Sequence, residues 1–177
     1  VRSLGMEKWV QQLGRIQVKG SEAMRTNFYT ALYHSSIVPN LFTDVDGRYR
    51  GTDLEIHTAE DHNQYTIFSL WDTYRTAHPL YTLINADENE DFIKSMLAHY
   101  KDGGKLPVWE LSANYTGCMI GYHTVSVIAD AFLKGQDDFD ADLALEAMIH
   151  ISKLDELGKV AYAEQGFIPA HLEHESV

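Results

Sequence analysis

The sequence predicts a mainly α-helical protein built from stacked α-hairpins, with one small β-hairpin excursion near residues 42–68. Three observations support this fold class. Apolar residues recur at every third or fourth position in segments on both sides of the excursion. Glycines and prolines separate these segments by short connections. Residues 40–68 instead combine β-branched, aromatic and turn-forming residues. Repeated helix pairs joined by short loops are typical of stacked antiparallel α-hairpins.

Two helices are predicted before residue 40. The first has apolar residues at the i, i+3, i+4, i+7 spacing, which predicts one buried face. Those residues are Met6, Trp9, Val10 and Leu13. The second begins after Ser21, a plausible N-cap, and runs to about Ser36. His34 near its end is a possible ligand, although a lone histidine on an apolar face is more often structural.

Residues 40–68 have the composition of short strands and turns. The dipeptide Asp46-Gly47 predicts a turn that joins residues 43–45 to residues 48–50, and a further strand is expected over 64–68. Acidic residues crowd this excursion, at Asp44, Asp46, Asp53, Glu55, Glu60 and Asp61. They resemble the start of a calcium loop, but the full D-x-D-x-D-G-x5-E pattern is not met, which favours a solvated acidic loop.

Helical patterns dominate the rest of the chain. Pro79 suits the first turn of a helix, and Asn89 is expected to cap the next one, which stops at Gly103-Gly104. Its predicted buried face contains Phe92, Ile93, Met96, Leu97 and Tyr100. A loop over 105–117, a long helix over about 116–134 and a last helix from Asp140 or Asp142 to Gly158 follow.

Composition excludes several classes of protein. The formal net charge of −12, from 14 Lys+Arg against 26 Asp+Glu, disfavours a nucleic acid or an anionic membrane as partner. No apolar run is long enough for a membrane span, and the first residues, VRSLGMEKW, do not form a targeting signal. The single cysteine, Cys118, excludes an internal disulfide.

The segment FSLWDTYRTAHP, residues 68–79, is the first candidate site. Trp71, Asp72 and Arg75 lie within five residues, as in the mouth of a polar pocket. An indole offers a flat apolar face to a sugar ring, a carboxylate accepts two hydroxyl hydrogen bonds, and a guanidinium clamps an oxygen or holds the carboxylate. The alternative is structural: Trp71 in the core, Asp72 as a helix cap and Arg75 on the surface.

The loop over residues 105–117 repeats this pairing in Trp109-Glu110. Two carboxylates across a cleft are what glycoside hydrolysis requires, one as proton donor and the other as base or nucleophile. From the residues alone, Asp72 and Glu110 are candidates for that pair. Alternatively, both are structural, or they only bind sugar.

Four segments in this order closely resemble glycoside hydrolase family 92. They are NFYTALYHSSIVPN, DVDGRYRG, YTIFSLWDTYRTAHPL and GKLPVWELSANYTGCMIGYHTVSVIADAFLKG. The family comprises calcium-dependent exo-acting α-mannosidases, found largely in gut bacteria. The resemblance implies an N-terminal β-sandwich joined to an (α/α)6 helical-toroid catalytic domain, and inversion at the anomeric carbon. It also implies a periplasmic, secreted or cell-surface location in a bacterium.

This chain differs from the family pattern in three ways that bear on function. Family members are several times longer, so residues 1–177 are expected to be a single fragment of the toroid, without the sandwich domain and the C-terminal part of the toroid. The family's general acid lies in a Glu-Gly motif next to Trp-Gln-Tyr, and its base in a Gly-Asn-Asp motif. Neither motif occurs here, nor does the Asn-Glu-Pro motif of the calcium site.

We therefore expect no catalytic residue and no metal ligand in this chain, with calcium held elsewhere in the parent enzyme. Glu110 remains only a weak catalytic candidate. The resemblance assigns Asp72 to sugar hydroxyls, with Trp71, Arg75, Trp109 and Glu110 as possible neighbours of the sugar.

The sequence thus predicts part of a glycosidase that hydrolyses terminal α-mannosidic linkages with inversion. The chain would form a wall of the substrate pocket and be inactive alone. Its expected partners are a mannose-containing glycan and either a second copy of itself or the rest of the domain. The alternative is a noncatalytic helical module that binds glycan or protein.

Overall fold

The computed structural model describes residues 2–173, which divide after Val38 into two compact units. About half of the chain is helical, so the prediction of a mainly α-helical fold is confirmed. The described helices are α1 (Arg2–Leu13), α2 (Glu22–Ser35), α3 (Leu70–Thr73), α4 (Ala77–Ile84), α5 (Ala86–Gly103), α6 (Thr124–Leu133), α7 (Ala141–Lys153) and α8 (Lys159–Gln165). The architecture agrees with a part of an α/α toroid.

The described strands are short and antiparallel. They are β1 (Asn40–Leu41), β2 (Arg48–Arg50), β3 (Ile56–Thr58), β4 (Tyr65–Thr66), β5 (Phe68–Ser69), β6 (Trp109–Leu111) and β7 (Asn114–Tyr115). They pair as β1–β4, as β2–β3 and as a three-stranded sheet in the order β5–β6–β7. The first two pairs form the predicted β excursion. The third sheet extends beyond it, into residues that the sequence assigns to a loop.

The N-terminal unit consists of α1 and α2. Ser21 caps α2 as predicted, because its hydroxyl accepts a hydrogen bond from the Met24 N–H. The rings of Trp9 and Tyr33 lie 4.7 Å apart and join the two helices. The prediction of a buried face on α1 is wrong for this structure, since Met6 and Val10 are exposed and α1 has no buried residue.

The second unit packs its other elements around α5. Helices α4 and α7 contact α5, and α6 contacts both α4 and α7. The predicted apolar face of α5 is confirmed at four positions, Phe92, Ile93, Met96 and Leu97, which are buried, and Tyr100 packs against them. Gly104 ends the helix in the left-handed conformation, with φ +79°, as a C-terminal glycine cap does.

Four local predictions are corrected by tertiary contacts. Helix α5 begins at Ala86 rather than after Asn89, which is fully buried and donates to Gln136 at 2.7 Å. Residues 48–50 pair with 56–58 and not with 43–45, although Asp46-Gly47 does form a turn. Helix α7 ends at Lys153, and Gly158 instead precedes α8.

The fourth correction concerns the long helix predicted over 116–134. Only residues from Thr124 onward are helical. Gly117, Met119 and Gly121 have φ values of +63°, +67° and +87°, and residues in this conformation cannot continue a right-handed helix. Residues 116–123 therefore form an irregular segment that leads into α6.

Within residues 2–173, none of the helices combines the length and the apolar character that crossing a membrane requires.

Phe92 lies at the centre of an aromatic cluster in this core. Its ring centroid lies 4.7 Å from that of Tyr65, 5.6 Å from Tyr81 and 6.1 Å from His78. Phe92→Ala is expected to lower the free energy of unfolding by about 3–5 kcal/mol, because it leaves a cavity that the packed rings cannot fill. Phe132→Ala, at an exposed phenylalanine of α6, is the matched control and should lower the free energy of unfolding much less. Urea unfolding of both variants gives the comparison, and equal losses would contradict this account of the core.

Two histidines are buried in the same core and stay neutral there. Burial lowers the pKa of both His78 and His99 to about 4, and neither Nδ1 atom has a partner in the described residues. The unfolded chain takes up protons at an ordinary histidine pKa of about 6.5, whereas the folded chain does not until about pH 4. Stability should therefore fall as the pH drops from about 6.5 to about 4, by about 3 kcal/mol for each histidine.

Urea titrations at several pH values between about 7 and 4 would measure this loss. His99→Gln removes one of the titrating groups and should flatten the dependence on pH. His34→Gln, at an exposed histidine of α2, controls for the replacement of a histidine by glutamine. An identical slope for wild type and His99→Gln would argue against a neutral, buried His99.

Candidate functional site

The β5–β6 pair brings the two indole-carboxylate segments together. Phe68 lies opposite Glu110, and Ser69 lies opposite Trp109. Because side chains alternate across a strand, Ser69 and Trp109 share one face of the sheet, while Phe68 and Glu110 share the other. Both Phe68 and Glu110 are buried. Trp109 therefore shares a face of the sheet with Ser69, and the Glu110 side chain points into the core.

Trp71 and Asp72 lie on α3, a single helical turn that directly follows β5. Leu70 anchors this turn in the core, whereas Trp71 is 38% exposed and Asp72 is exposed. Asp72 Oδ2 accepts a hydrogen bond of 2.6 Å from the Ser69 hydroxyl. In the described residues, Asp72 accepts no backbone N–H bond of the kind that a capping carboxylate makes. Its position leaves a charged acceptor open to solvent.

Arg75 lies one turn further along the chain and is also exposed. Its guanidinium carbon lies 5.0 Å from the centroid of the Tyr74 ring, a cation–π distance. Within residues 2–173 it makes no ion pair with Asp72 or another carboxylate. The guanidinium is thus oriented by an aromatic ring while its donors remain available.

The structure adds His123 to this surface, a residue that the sequence reasoning missed. Its ring stacks on Tyr74 with centroids 4.3 Å apart and planes at 27°. Burial and the nearby positive charge of Arg75 lower its pKa, which favours a neutral imidazole. No motif in the sequence marked His123 as a site residue. In the structure, a side chain at position 121 would collide with the histidine ring.

The irregular segment over 116–123 is tied to Trp109. The Thr116 hydroxyl donates to the Trp109 carbonyl at 2.8 Å, and the Thr116 N–H donates to the same oxygen at 3.2 Å. The segment thereby connects β6 to His123 at the start of α6. Trp71, Asp72, Arg75, Trp109 and His123 belong to this connected group of elements, which we call the indole surface.

Glu110 has a different environment. Its side chain is only 1% exposed, and its oxygens accept hydrogen bonds from the Thr66 hydroxyl, the Ile67 N–H and the Ala113 N–H at 2.7–3.0 Å. Burial raises its pKa, while the hydrogen bonds from Thr66 and the backbone act in the opposite direction. His99 Nε2 lies 3.9 Å from Oε2. Both carboxylate oxygens of Glu110 thus accept hydrogen bonds from other groups of the protein.

The described residues do not fit a calcium ion. No group of three or more His, Cys, Asp or Glu side chains within residues 2–173 is arranged to hold a metal. In the acidic excursion, Asp46 pairs with Arg48 at 2.7 Å, and Asp53 binds His57 at 2.9 Å. His34 is exposed on α2. No step of the chemistry is therefore assigned to a metal held by these residues.

The chain matches the model of the glycosyl hydrolase family 92 catalytic domain over residues 1–177. It is similar to the solved family 92 α-mannosidase BT3965 of Bacteroides thetaiotaomicron, with 40% identity and a TM-score of 0.95 over 99% of this chain and 24% of that one. A structure of the same enzyme in complex with mannoimidazole matches with the same identity and TM-score, over 99% of this chain and 23% of that one.

A second similar structure is the inverting family 92 mannosidase BT2199 of Bacteroides thetaiotaomicron VPI-5482. It is 35% identical with a TM-score of 0.83, over 94% of this chain and 24% of that one. The chain thus spans about a quarter of the length of these solved relatives. Among curated proteins, the search found no match.

Proposed function

Because the chain belongs to glycosyl hydrolase family 92, we propose that it forms part of a glycosidase that hydrolyses terminal α-mannosidic linkages of glycans. The observation that carries this proposal is the 40% identity over 99% of the chain to an α-mannosidase that was solved with mannoimidazole. Inversion at the anomeric carbon is supported by the similarity to an enzyme described as an inverting mannosidase.

Within that enzyme, we assign the indole surface to the wall of the substrate pocket. Asp72 would accept two sugar hydroxyls, Trp71 and Trp109 would offer apolar faces to the sugar ring, and Arg75 would donate to a sugar oxygen. The exposure of Trp71, Asp72 and Arg75 supports this role, since none of the three side chains is buried in the core. The general acid and base, and the ligands of calcium, would lie outside residues 1–177.

The test of this function is the reaction catalysed by the full-length enzyme that contains the chain. It is incubated with α-mannobioses, and the anomer of the released mannose is followed by proton NMR before mutarotation. The proposal expects mannose from α-mannosides, initially as the β-anomer, and no hydrolysis of α-glucosides or β-mannosides. Release of the α-anomer first would contradict inversion, and an inactive full-length protein would favour the noncatalytic binding module.

Metal content and location can be tested separately. Metal analysis of the full-length enzyme should find calcium that the 177-residue chain alone does not retain. A periplasmic, secreted or surface location is supported by the bacterial source of the similar enzymes, and fractionation of the producing cells would test it.

Apolar side chains on α4 and α6 suggest a further contact surface. Leu83 is 74% exposed, Phe132 48% and Leu133 84%. We propose that this surface packs against the rest of the catalytic domain in the intact enzyme. The purified 177-residue chain should then self-associate, with an apparent mass in size-exclusion chromatography with light scattering that grows with concentration. Leu133→Lys should reduce this effect, and a stable wild-type monomer at high concentration would contradict it.

A further inference from the structure

Three residues near Glu110 have a backbone conformation that L-amino acids rarely adopt. Ile67 has φ +69°, Ser112 φ +51° and Ala113 φ +63°. A β-branched residue such as Ile67 is a clear outlier there. Ser112 and Ala113 are the two central residues of the β6–β7 turn, where a hairpin with positive φ at both positions normally has Asn-Gly. Such conformations persist only where surrounding interactions determine them.

Glu110 supplies those interactions at both places. Its Oε2 accepts from the Ile67 N–H at 2.9 Å, and its Oε1 accepts from the Ala113 N–H at 2.7 Å. One buried carboxylate thus binds the backbone at Ile67, between β4 and β5, and the turn between β6 and β7. Hydrogen bonds from backbone N–H groups to a charged acceptor are stronger than those to a neutral one.

Thr66 completes this arrangement. Its hydroxyl donates to Glu110 at 2.7 Å and accepts from the Ser112 N–H at 2.7 Å. Thr66 is itself buried. Glu110 therefore binds the N–H groups of Ile67 and Ala113, and the Thr66 hydroxyl, which Glu110 orients, binds the N–H of Ser112.

The space beside Glu110 is small. His99, Thr52 and Lys105 line it together with Glu110, and its volume is about 90 Å³. A direct contact between Glu110 and a mannose ring would need the carboxylate to give up its protein partners.

We propose that Glu110 is a positioning residue, which holds the strained backbone at Ile67 and at Ser112-Ala113 and thereby places Asp72 and Trp109 for sugar binding. Ile67 directly precedes β5, whose Ser69 binds Asp72. Trp109 precedes Glu110 on β6 and lies opposite Ser69. The expected effect of Glu110 on catalysis rests on the proposed function. The effect of Glu110 on the mobility of the backbone can be measured independently of that function.

The first test is Glu110→Gln in the full-length enzyme. A glutamine amide has one acceptor oxygen and no charge, so it can bind the N–H of Ile67 or that of Ala113 but not both. We expect kcat/KM for an α-mannoside to fall by about 10- to 100-fold at temperatures where the variant is folded, as small displacements of binding groups do. Hydrogen exchange should rise in peptides covering residues 66–72 and 110–116. Glu146→Gln, at an exposed glutamate bound to Tyr100 at 2.9 Å, is the control and should leave both readouts unchanged.

The second test compares two variants of Thr66. Thr66→Val keeps the shape but removes the hydroxyl, and should reproduce the faster exchange and part of the loss in kcat/KM. Thr66→Ser keeps the hydroxyl and should retain near-normal values. A folded Glu110→Gln enzyme with normal kcat/KM overturns the positioning role, even if its melting temperature is lower. If the wild-type enzyme has no α-mannosidase activity, the proposed function is wrong. Independently, unchanged hydrogen exchange in Glu110→Gln would show that Glu110 does not stabilise the backbone at Ile67 and Ser112-Ala113.

Discussion

The purified 177-residue chain is expected to release no detectable mannose from α-mannosides. A general acid and a general base each contribute about 10²–10⁴-fold to such a reaction. The motifs that hold these two groups in family 92 do not occur in this sequence. Of the predicted candidates within the chain, Glu110 is buried, and its oxygens are bound to Thr66, Ile67 and Ala113. No pair of carboxylates on the indole surface replaces them.

The measurement is a mannose-release assay on the chain and on the full-length enzyme at equal molar concentration. Circular dichroism and a cooperative thermal transition must first establish that the chain is folded. Release at a rate within about 100-fold of the full-length enzyme would contradict the prediction, since that is the smallest contribution expected of one lost carboxylate. Glu110→Ala would then decide whether Glu110 is the catalytic group.

Asp72→Ala in the full-length enzyme is expected to lower kcat/KM by about 10²-fold or more. A carboxylate that accepts two mannose hydroxyls forms charge-assisted hydrogen bonds worth about 1.5–3 kcal/mol each. Each ~1.4 kcal/mol corresponds to a tenfold change in kcat/KM. Because Asp72 is exposed and its one described partner is the Ser69 hydroxyl, the fold should lose little stability.

Asp72→Asn separates sugar binding from helix capping. An amide has one acceptor oxygen and no charge, so a sugar-binding Asp72 predicts poor catalysis in Asp72→Asn. Asparagine is a good capping residue, so a capping Asp72 predicts near-normal rates in the same variant. Asp142→Asn is the matched control, because Asp142 is an exposed aspartate in the first turn of α7. Steady-state kinetics with melting temperatures distinguish the two roles, and wild-type kcat/KM in a folded Asp72→Asn enzyme would exclude sugar binding.

The sequence by itself determined the features that depend on a few neighbouring residues. Ser21 caps α2 as predicted, and Asp140, one of the two predicted starts of the last helix, caps α7, because an N-cap side chain binds an N–H only two or three residues away. Gly104 ends α5 because glycine adopts positive φ without a steric penalty. The buried face of α5 follows from helical periodicity, since Phe92, Ile93 and Met96 lie on one side of the helix.

Tertiary structure decided which of several locally acceptable alternatives was used. Asn89 is a suitable cap by residue type, but its hydrogen bond to Gln136 holds it in the core, and α5 begins after Asn85, whose side chain makes no capping hydrogen bond. The strand over 48–50 had a nearby partner across Asp46-Gly47, yet it pairs with 56–58. Strand pairing depends on side-chain packing between segments, which local propensity does not encode.

The orientation of the candidate residues was also a tertiary outcome. Trp71-Asp72 and Trp109-Glu110 look equivalent in the sequence, as an indole followed by a carboxylate. In the structure, α3 leaves Asp72 in solvent, whereas the β5–β6 register turns Glu110 into the core. A shift of one residue in that register would exchange the buried and exposed faces of β6. Which carboxylate is exposed and which is buried is therefore set by the pairing of two distant segments, and no residue next to Glu110 in the chain specifies it.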